Sequence, residues 1–158
     1  MILNRHLGFS AKQYEQAADF AHKYDRETKG NAILTGHSLG GGLSSYASKE
    51  TGLPATAVNS APLSKPYREG GAKNWEDKIT QYQVPGEALT WLEKGGLIGE
   101  RPGDRIDIQG KTGSAIKDHS LANSAPEIDL PKFVKNQDNP NAKDPGQTVR
   151  DTDQRTEL

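Results

Sequence analysis

The spacing of apolar positions along the chain predicts helices alternating with short strands. Tyr14, Ala17, Ala18 and Ala21 recur at i, i+3, i+4 and i+7, one apolar stripe of a helix over roughly 10–28. Ser10 and Gln13 make an S-x-x-Q capping box at its start, satisfying free N–H groups there, and Gly30 is its stop signal. A short strand follows over 31–35, and its continuous apolar run Ala32-Ile33-Leu34 fits burial on both faces of a sheet. A second helix begins at Ser38, with Leu43, Tyr46 and Ala47 on one face and Gly52 after it. Further strands are predicted over 55–59 and 79–84, the latter stopped by Pro85-Gly86. Between them 64–76 is polar and loop-rich, with room for a short helix, and another short helix fits 88–92. Arg105-Ile106-Asp107-Ile108 alternates, the pattern of a fourth, half-exposed strand. No internal repeat is present. Strands alternating with helices imply a parallel α/β sheet.

The pattern stops near Glu127. Residues 135–158 are almost wholly polar and cannot bury enough apolar surface to offset their ordering entropy, so the chain divides into a domain over 1–126 and a loose tail over 127–158. The tail explains part of a hydrophobic content of only 32%. A formal net charge of −1 gives no basic surface for nucleic acid or anionic lipid. With no cysteine, disulfides, thiol catalysis and thiolate metal sites are excluded, and no metal or cofactor is expected. Met1 to His6 has no apolar run of signal-peptide length, which fits residence in the cytoplasm or export by a dedicated secretion system. No apolar run spans a bilayer, so a lipid substrate would be met from outside the membrane.

The chemistry-bearing segment is Gly36-His37-Ser38-Leu39-Gly40. A serine hydroxyl is a poor nucleophile unless it is held beside a base and presented to substrate. G-x-S-x-G does this mechanically, by setting the serine on a strained strand-to-helix turn whose glycines permit close packing. An apolar strand precedes Ser38 and a small-residue helix follows, with Gly40, Gly41 and Gly42 allowing that helix to approach the sheet. The helix N-terminus aims N–H groups at the reaction centre, with the Leu39 N–H as one oxyanion donor. The competing readings are a purely structural glycine turn and a phosphate-binding loop. The second fails because no Lys-Ser or Lys-Thr follows the glycines.

In a sheet of this kind the order along the chain is serine, then carboxylate, then histidine. Of His6, His22, His37 and His119, only His119 follows Ser38. His37 is expected to point away from the serine toward packing, and His22 to lie on the surface. The carboxylate must fall between Ser38 and His119, just past the end of a strand, where catalytic loops of open parallel sheets gather. Glu87 suits that place after Pro85-Gly86; Asp104 and Asp107, flanking the fourth strand, are rivals, and Asp118 is too close to His119 to orient its ring. Glu87 has a simpler reading too, as a first-turn charge for helix 88–92.

Thr35-Gly36-His37-Ser38-Leu39-Gly40-Gly41-Gly42-Leu43 resembles the elbow of class 3 lipases, T-G-H-S-L-G-G-A-L. Gln83-Val84-Pro85-Gly86-Glu87-Ala88-Leu89-Thr90 looks like the acid loop of a bacterial branch of these proteins, some delivered as antibacterial phospholipase effectors, and Asp118-His119-Ser120-Leu121 is similar to its histidine segment. The resemblance covers about 8–125. It implies an α/β-hydrolase with Ser38 as nucleophile, Glu87 as acid and His119 as base, acting on a lipid or ester. Such lipases have earlier strands before the helix that leads to the elbow, one of which brings the second oxyanion N–H. Only about nine residues precede that helix here. The expectation is therefore a partial α/β-hydrolase fold, the C-terminal half, with about four mostly parallel strands and flanking helices. Another polypeptide or self-association would then cover the open edge. Two functions follow from these readings: a serine hydrolase of carboxylic esters, lipase- or phospholipase-like, and a weakly active or inactive fragment that binds a partner through that edge.

Overall fold

A computed structural model describes residues 11–90 and 99–124, all within one compact unit, Met1–Ile128. Ser10 of the capping box, positions 91–92 of the short helix and the tail over 127–158 lie outside the described residues. Helix α1, Ala11–Thr28, buries Tyr14, Ala18 and Ala21 as the stripe predicts, and Ala17 sits at its margin. It ends at Gly30, whose φ of 82° turns the chain while its N–H bonds the Asp25 carbonyl at 3.0 Å. Tyr14 stacks on Tyr67 at 4.3 Å between ring centres and tilts against Tyr46 at 4.9 Å, which seats α1 on the rest of the domain.

Strand β1 is Leu34–His37, later than the 31–35 that hydropathy predicts. Both the backbone N–H and the side-chain amide of Asn31 bond the Thr28 carbonyl, so 31–33 are used in leaving the helix. Pairing starts at Leu34, which donates to the Pro54 carbonyl at 2.9 Å. The shift carries the strand up to the serine. The apolar run is not buried on both faces either. Ile33 is 49% exposed, because β1 is an edge strand of the sheet formed by the described residues.

Helix α2, Leu39–Thr51, ends on Gly52, whose φ of 74° makes a left-handed cap. Apart from Lys49 near its end, the residues it buries are small: Gly41, Gly42, Ser44, Ser45, Ala47 and Ser48. Leu43 and Tyr46 are only partly buried and pack against the core from the side. Hydropathy misplaces this face because serine scores as polar, yet a serine hydroxyl can be satisfied inside a helix. Ser44 and Ser45 both donate to the Gly41 carbonyl at 2.9 Å, and Ser48 donates to that of Leu53 at 2.6 Å. The small face lets α2 lie close on β1 and β2.

The remaining elements are β2 (Ala55–Val58), α3 (Lys65–Arg68), a 3-10 turn (Glu76–Lys78), β3 (Ile79–Gln83), β4 (Asp104–Asp107) and α4 (Leu121–Ser124). The four strands are all parallel in the order β1-β2-β3-β4, with Leu34 opposite Ala55, Ala55 opposite Ile79 and Thr80 opposite Asp104. This is a partial α/β fold, as expected. The core joins Tyr14, Ala55, Ala61, Leu63, Trp75 and Ile79. Strand β4 differs from expectation: all four residues are exposed rather than every second one, and only Ile108, just beyond it, turns in to pack with Val58 and Val84. Among the described residues β4 is the other edge of the sheet, with a paired strand on one side only. Because every strand runs the same way, Ser38, Asn59, the 84–87 turn and Ile108 all leave the sheet at the same end.

Candidate active site

Ser38 sits at φ 55°, ψ −120°, a sparsely populated conformation costing on the order of 1–3 kcal/mol. The surroundings impose it. The Ser38 N–H bonds the Val58 carbonyl at 3.1 Å, while its own carbonyl accepts from Gly41, Gly42 and Ala61 at 3.0, 3.2 and 2.8 Å. Two of the glycines are required by space. A Cβ on Gly36 would lie 2.1 Å from the Gly40 carbonyl oxygen, and one on Gly41 would lie 2.5 Å from the Ser60 Cβ. Gly40, expected to share in the close approach, faces open space. Leu39 is the first residue of α2, so its N–H has no carbonyl partner within the helix.

The loop after β4 brings His119 over the elbow. Its Nε2 lies 2.8 Å from Ser38 Oγ and its Nδ1 lies 2.6 Å from Glu87 Oε2. Glu87 is wholly buried. Oε2 also accepts from the Leu89 N–H at 2.9 Å, and Oε1 accepts from the Thr90 N–H, the Thr90 hydroxyl and Arg101 Nη2 at 2.6, 2.7 and 2.8 Å. The carboxylate therefore caps the helical turn at 88–90 and holds His119 at once; its two sequence readings are compatible. Burial pushes the Glu87 carboxyl up, but the hydrogen bonds from His119, Thr90, Leu89 and Arg101 outweigh it and bring the pKa from 4.5 down to about 2.

The rival carboxylates have other surroundings. Asp104 and Asp107 are exposed on β4, and Asp107 pairs with Arg105. Asp118 is buried and closes its own loop, accepting from the Thr112 N–H and hydroxyl at 2.9 and 2.8 Å. Burial alone would raise its pKa; the donors of Thr112, Gly113 and Ser114 lower it. His22 is exposed on α1, as expected, and His6 lies outside the described residues. His37 departs from expectation. Its Nε2 donates to the His119 backbone carbonyl at 2.7 Å, because the 118–119 segment covers the end of β1 where packing was expected.

Sequence reasoning missed two further residues. Asn59, fully buried at φ 42°, donates through Nδ2 to the carbonyls of Asp118 and His119 at 3.1 and 3.2 Å and accepts the Val84 N–H at 2.9 Å. Hydropathy counts it as the last residue of a strand over 55–59, whereas the strand ends at Val58 and Asn59, a residue tolerant of positive φ, begins the turn. Arg101, in a polar connection, carried no signal. A cavity of about 390 Å³ opens beside Glu87, lined by Val84, Pro85, Ile108 and Asp118 among others, but Ser38 is not in its wall. Among the described residues no group of three or more His, Asp or Glu side chains could share a metal ion, and no helix is long and apolar enough to cross a membrane.

A serine on a strained turn, bonded to an imidazole that is bonded to a buried carboxylate, is an arrangement able to move a proton from Oγ to Nε2. A family model described as a Tle-like phospholipase domain matches residues 3–141. No curated protein matches the chain.

Proposed function

The chain belongs to the Tle-like phospholipase domain family, and from that premise we propose that it is a serine hydrolase of the carboxylic esters of lipids, with Ser38 as nucleophile, His119 as base and Glu87 as acid. The observation that carries the reading is the unbroken run Ser38 Oγ–His119 Nε2, His119 Nδ1–Glu87 Oε2, at 2.8 and 2.6 Å between residues far apart in sequence. The ionised Glu87 accepts from Nδ1, which fixes the tautomer that leaves Nε2 free to take a proton.

Ser38 Oγ attacks the ester carbonyl carbon as His119 Nε2 takes its proton, and the carbonyl oxygen becomes an oxyanion facing the Leu39 N–H at the start of α2. The C–O bond to the alcohol then breaks, and Nε2 returns the proton to the leaving oxygen. Water, deprotonated by His119, attacks the acyl-serine in the second half. The Oγ–C bond breaks, Oγ recovers the proton, and the acid departs. The likeness to class 3 lipases belongs to the same proposal. A further strand, supplied by another polypeptide, pairs with β1 and brings the second oxyanion donor. Support for it comes from β1 lying at the edge and from the exposure of Ile33.

The exposed edge also favours a second reading, a binding module that hydrolyses little. A fluorophosphonate probe with turnover of a short-chain nitrophenyl ester and of phospholipid vesicles separates the two. Ser38→Ala is expected to abolish labelling and turnover together. Turnover within a few-fold of the parent would remove Ser38 from the mechanism, and a parent that neither labels nor turns over would favour the binding module.

A further inference from the structure

Arg101 has one of the most enclosed cationic side chains among the described residues, 3% exposed, and among those residues its guanidinium reaches four acceptors. Nε donates to the Ser60 carbonyl at 2.6 Å, Nη1 to Gln83 Oε1 and Thr90 Oγ1 at 2.6 and 2.9 Å, and Nη2 to Glu87 Oε1 at 2.8 Å. These acceptors come from the loop after β2, the end of β3 and the turn that carries Glu87. Ser60 also sets the close approach of Gly41 and donates to Gln81 at 2.7 Å, so one planar cation ties the seat of the elbow helix to the acid loop. Thr90 passes the contact on, accepting from Arg101 and donating to Glu87 Oε1.

We propose that Arg101 is a positioning residue for the proposed reaction, holding the Glu87 carboxylate in the rotamer that receives His119 and placing a fixed positive charge on its far oxygen. The inference rests on the function proposed above. It distinguishes Arg101 from a packing residue in two ways. Nη2 completes the set of donors on Oε1 begun by the Thr90 N–H and hydroxyl, and Nη1 holds that same hydroxyl, so Oε2 is left to Leu89 and His119 and the carboxylate cannot rotate without giving up those bonds. The cation also opposes protonation of the Glu87–His119 pair, so removing it makes the pair hold its proton to higher pH. Among the described residues the other titratable groups around the pair are His37, on the His119 carbonyl; Asp118, satisfied within its own loop; and Asp107, across the cavity beside Glu87. None of these contacts Glu87 Oε1 as Arg101 does.

The test compares R101K and R101M in the full chain, with Ser38→Ala as reference, by kcat, KM and the acid limb of the kcat/KM profile. R101M is expected to lose kcat by about 10²-fold, as misplacement of a reacting group does, with KM little changed and the acid limb moved to higher pH. R101K keeps the charge without the fork, so kcat should fall while the limb stays near that of the parent. A cavity of about 300 Å³ bordered by Arg101, Gln83 and Thr90 gives added guanidinium ion a route to the vacated place, so it should restore part of the R101M rate. Parent-like kcat in either variant, or a loss in R101M with an unmoved limb, would overturn the proposal and leave Arg101 a scaffold residue. Should R101M fail to fold by circular dichroism, the kcat of R101K decides alone. If Ser38→Ala is as active as the parent, it is the reaction assignment that fails, and Arg101 with it.

Discussion

Glu87 is the residue on which folding and the proposed chemistry meet. It is buried, yet its carboxyl is held down to about 2 from an ordinary 4.5, so ionising it stabilises the folded chain by about 3 kcal/mol. Because the folded pKa lies below the unfolded one, that stability is fully present above about pH 4.5 and is lost as pH falls toward about 2. Urea melts across this window should show the parent losing stability faster than Glu87→Gln, which has no charge to lose. The variant should be the weaker of the two near neutral pH and the gap should close in acid. Parallel curves would mean that the carboxyl is not held ionised by its donors. At this scale the sequence could nominate Glu87 by its place after Pro85-Gly86, but not choose it over Asp104 and Asp107. The difference between them is burial and donors, which are properties of the surroundings.

The strand–serine–helix element is legible in outline and misread in detail. A glycine run before a helix suggests close approach, but only packing says which glycine needs it. Ala at Gly36 or Gly41 would overfill occupied space, while Ala at Gly40 meets nothing. Gly41→Ala is therefore expected to cost about 1–3 kcal/mol of folding stability. Gly40→Ala should be neutral or stabilising by up to about 1 kcal/mol, since glycine inside a helix carries an entropic penalty. Denaturant midpoints of the two variants check this directly, and equal losses would contradict the spacing between α2 and Ser60. The serines of α2 teach the same lesson. Their hydroxyls bond carbonyls of their own helix and the turn after it, which makes a polar-looking stripe the buried one.

For the whole molecule, the parallel order β1-β2-β3-β4 leaves the elbow strand at an edge among the described residues, with Ile33 half-exposed beside it. An unprotected edge pairs readily with other strands. The full chain is expected to self-associate or to take up another polypeptide along β1, and Ile33→Lys, by charging the edge, should reduce association in sedimentation velocity. A parent that stays monomeric at every concentration would show that β1 is covered from within the chain. An association that survives Ile33→Lys unchanged would place the contact elsewhere.

Local patterns in the chain determined the α/β alternation and the strand–turn–helix around Ser38. Each depends on residues close in sequence: a helical stripe, a strand run, a glycine turn. What depends on distant residues was decided only in three dimensions. The bonds from Asn59 and His37 to the His119 carbonyl join segments 60 and 82 residues apart, and the enclosure of Glu87 by Arg101 and the exposure of β4 likewise depend on how separate segments meet. Hydropathy and spacing carry no term for such contacts. A buried polar side chain is favourable only when its partners are already in place, and those partners are assembled by the fold.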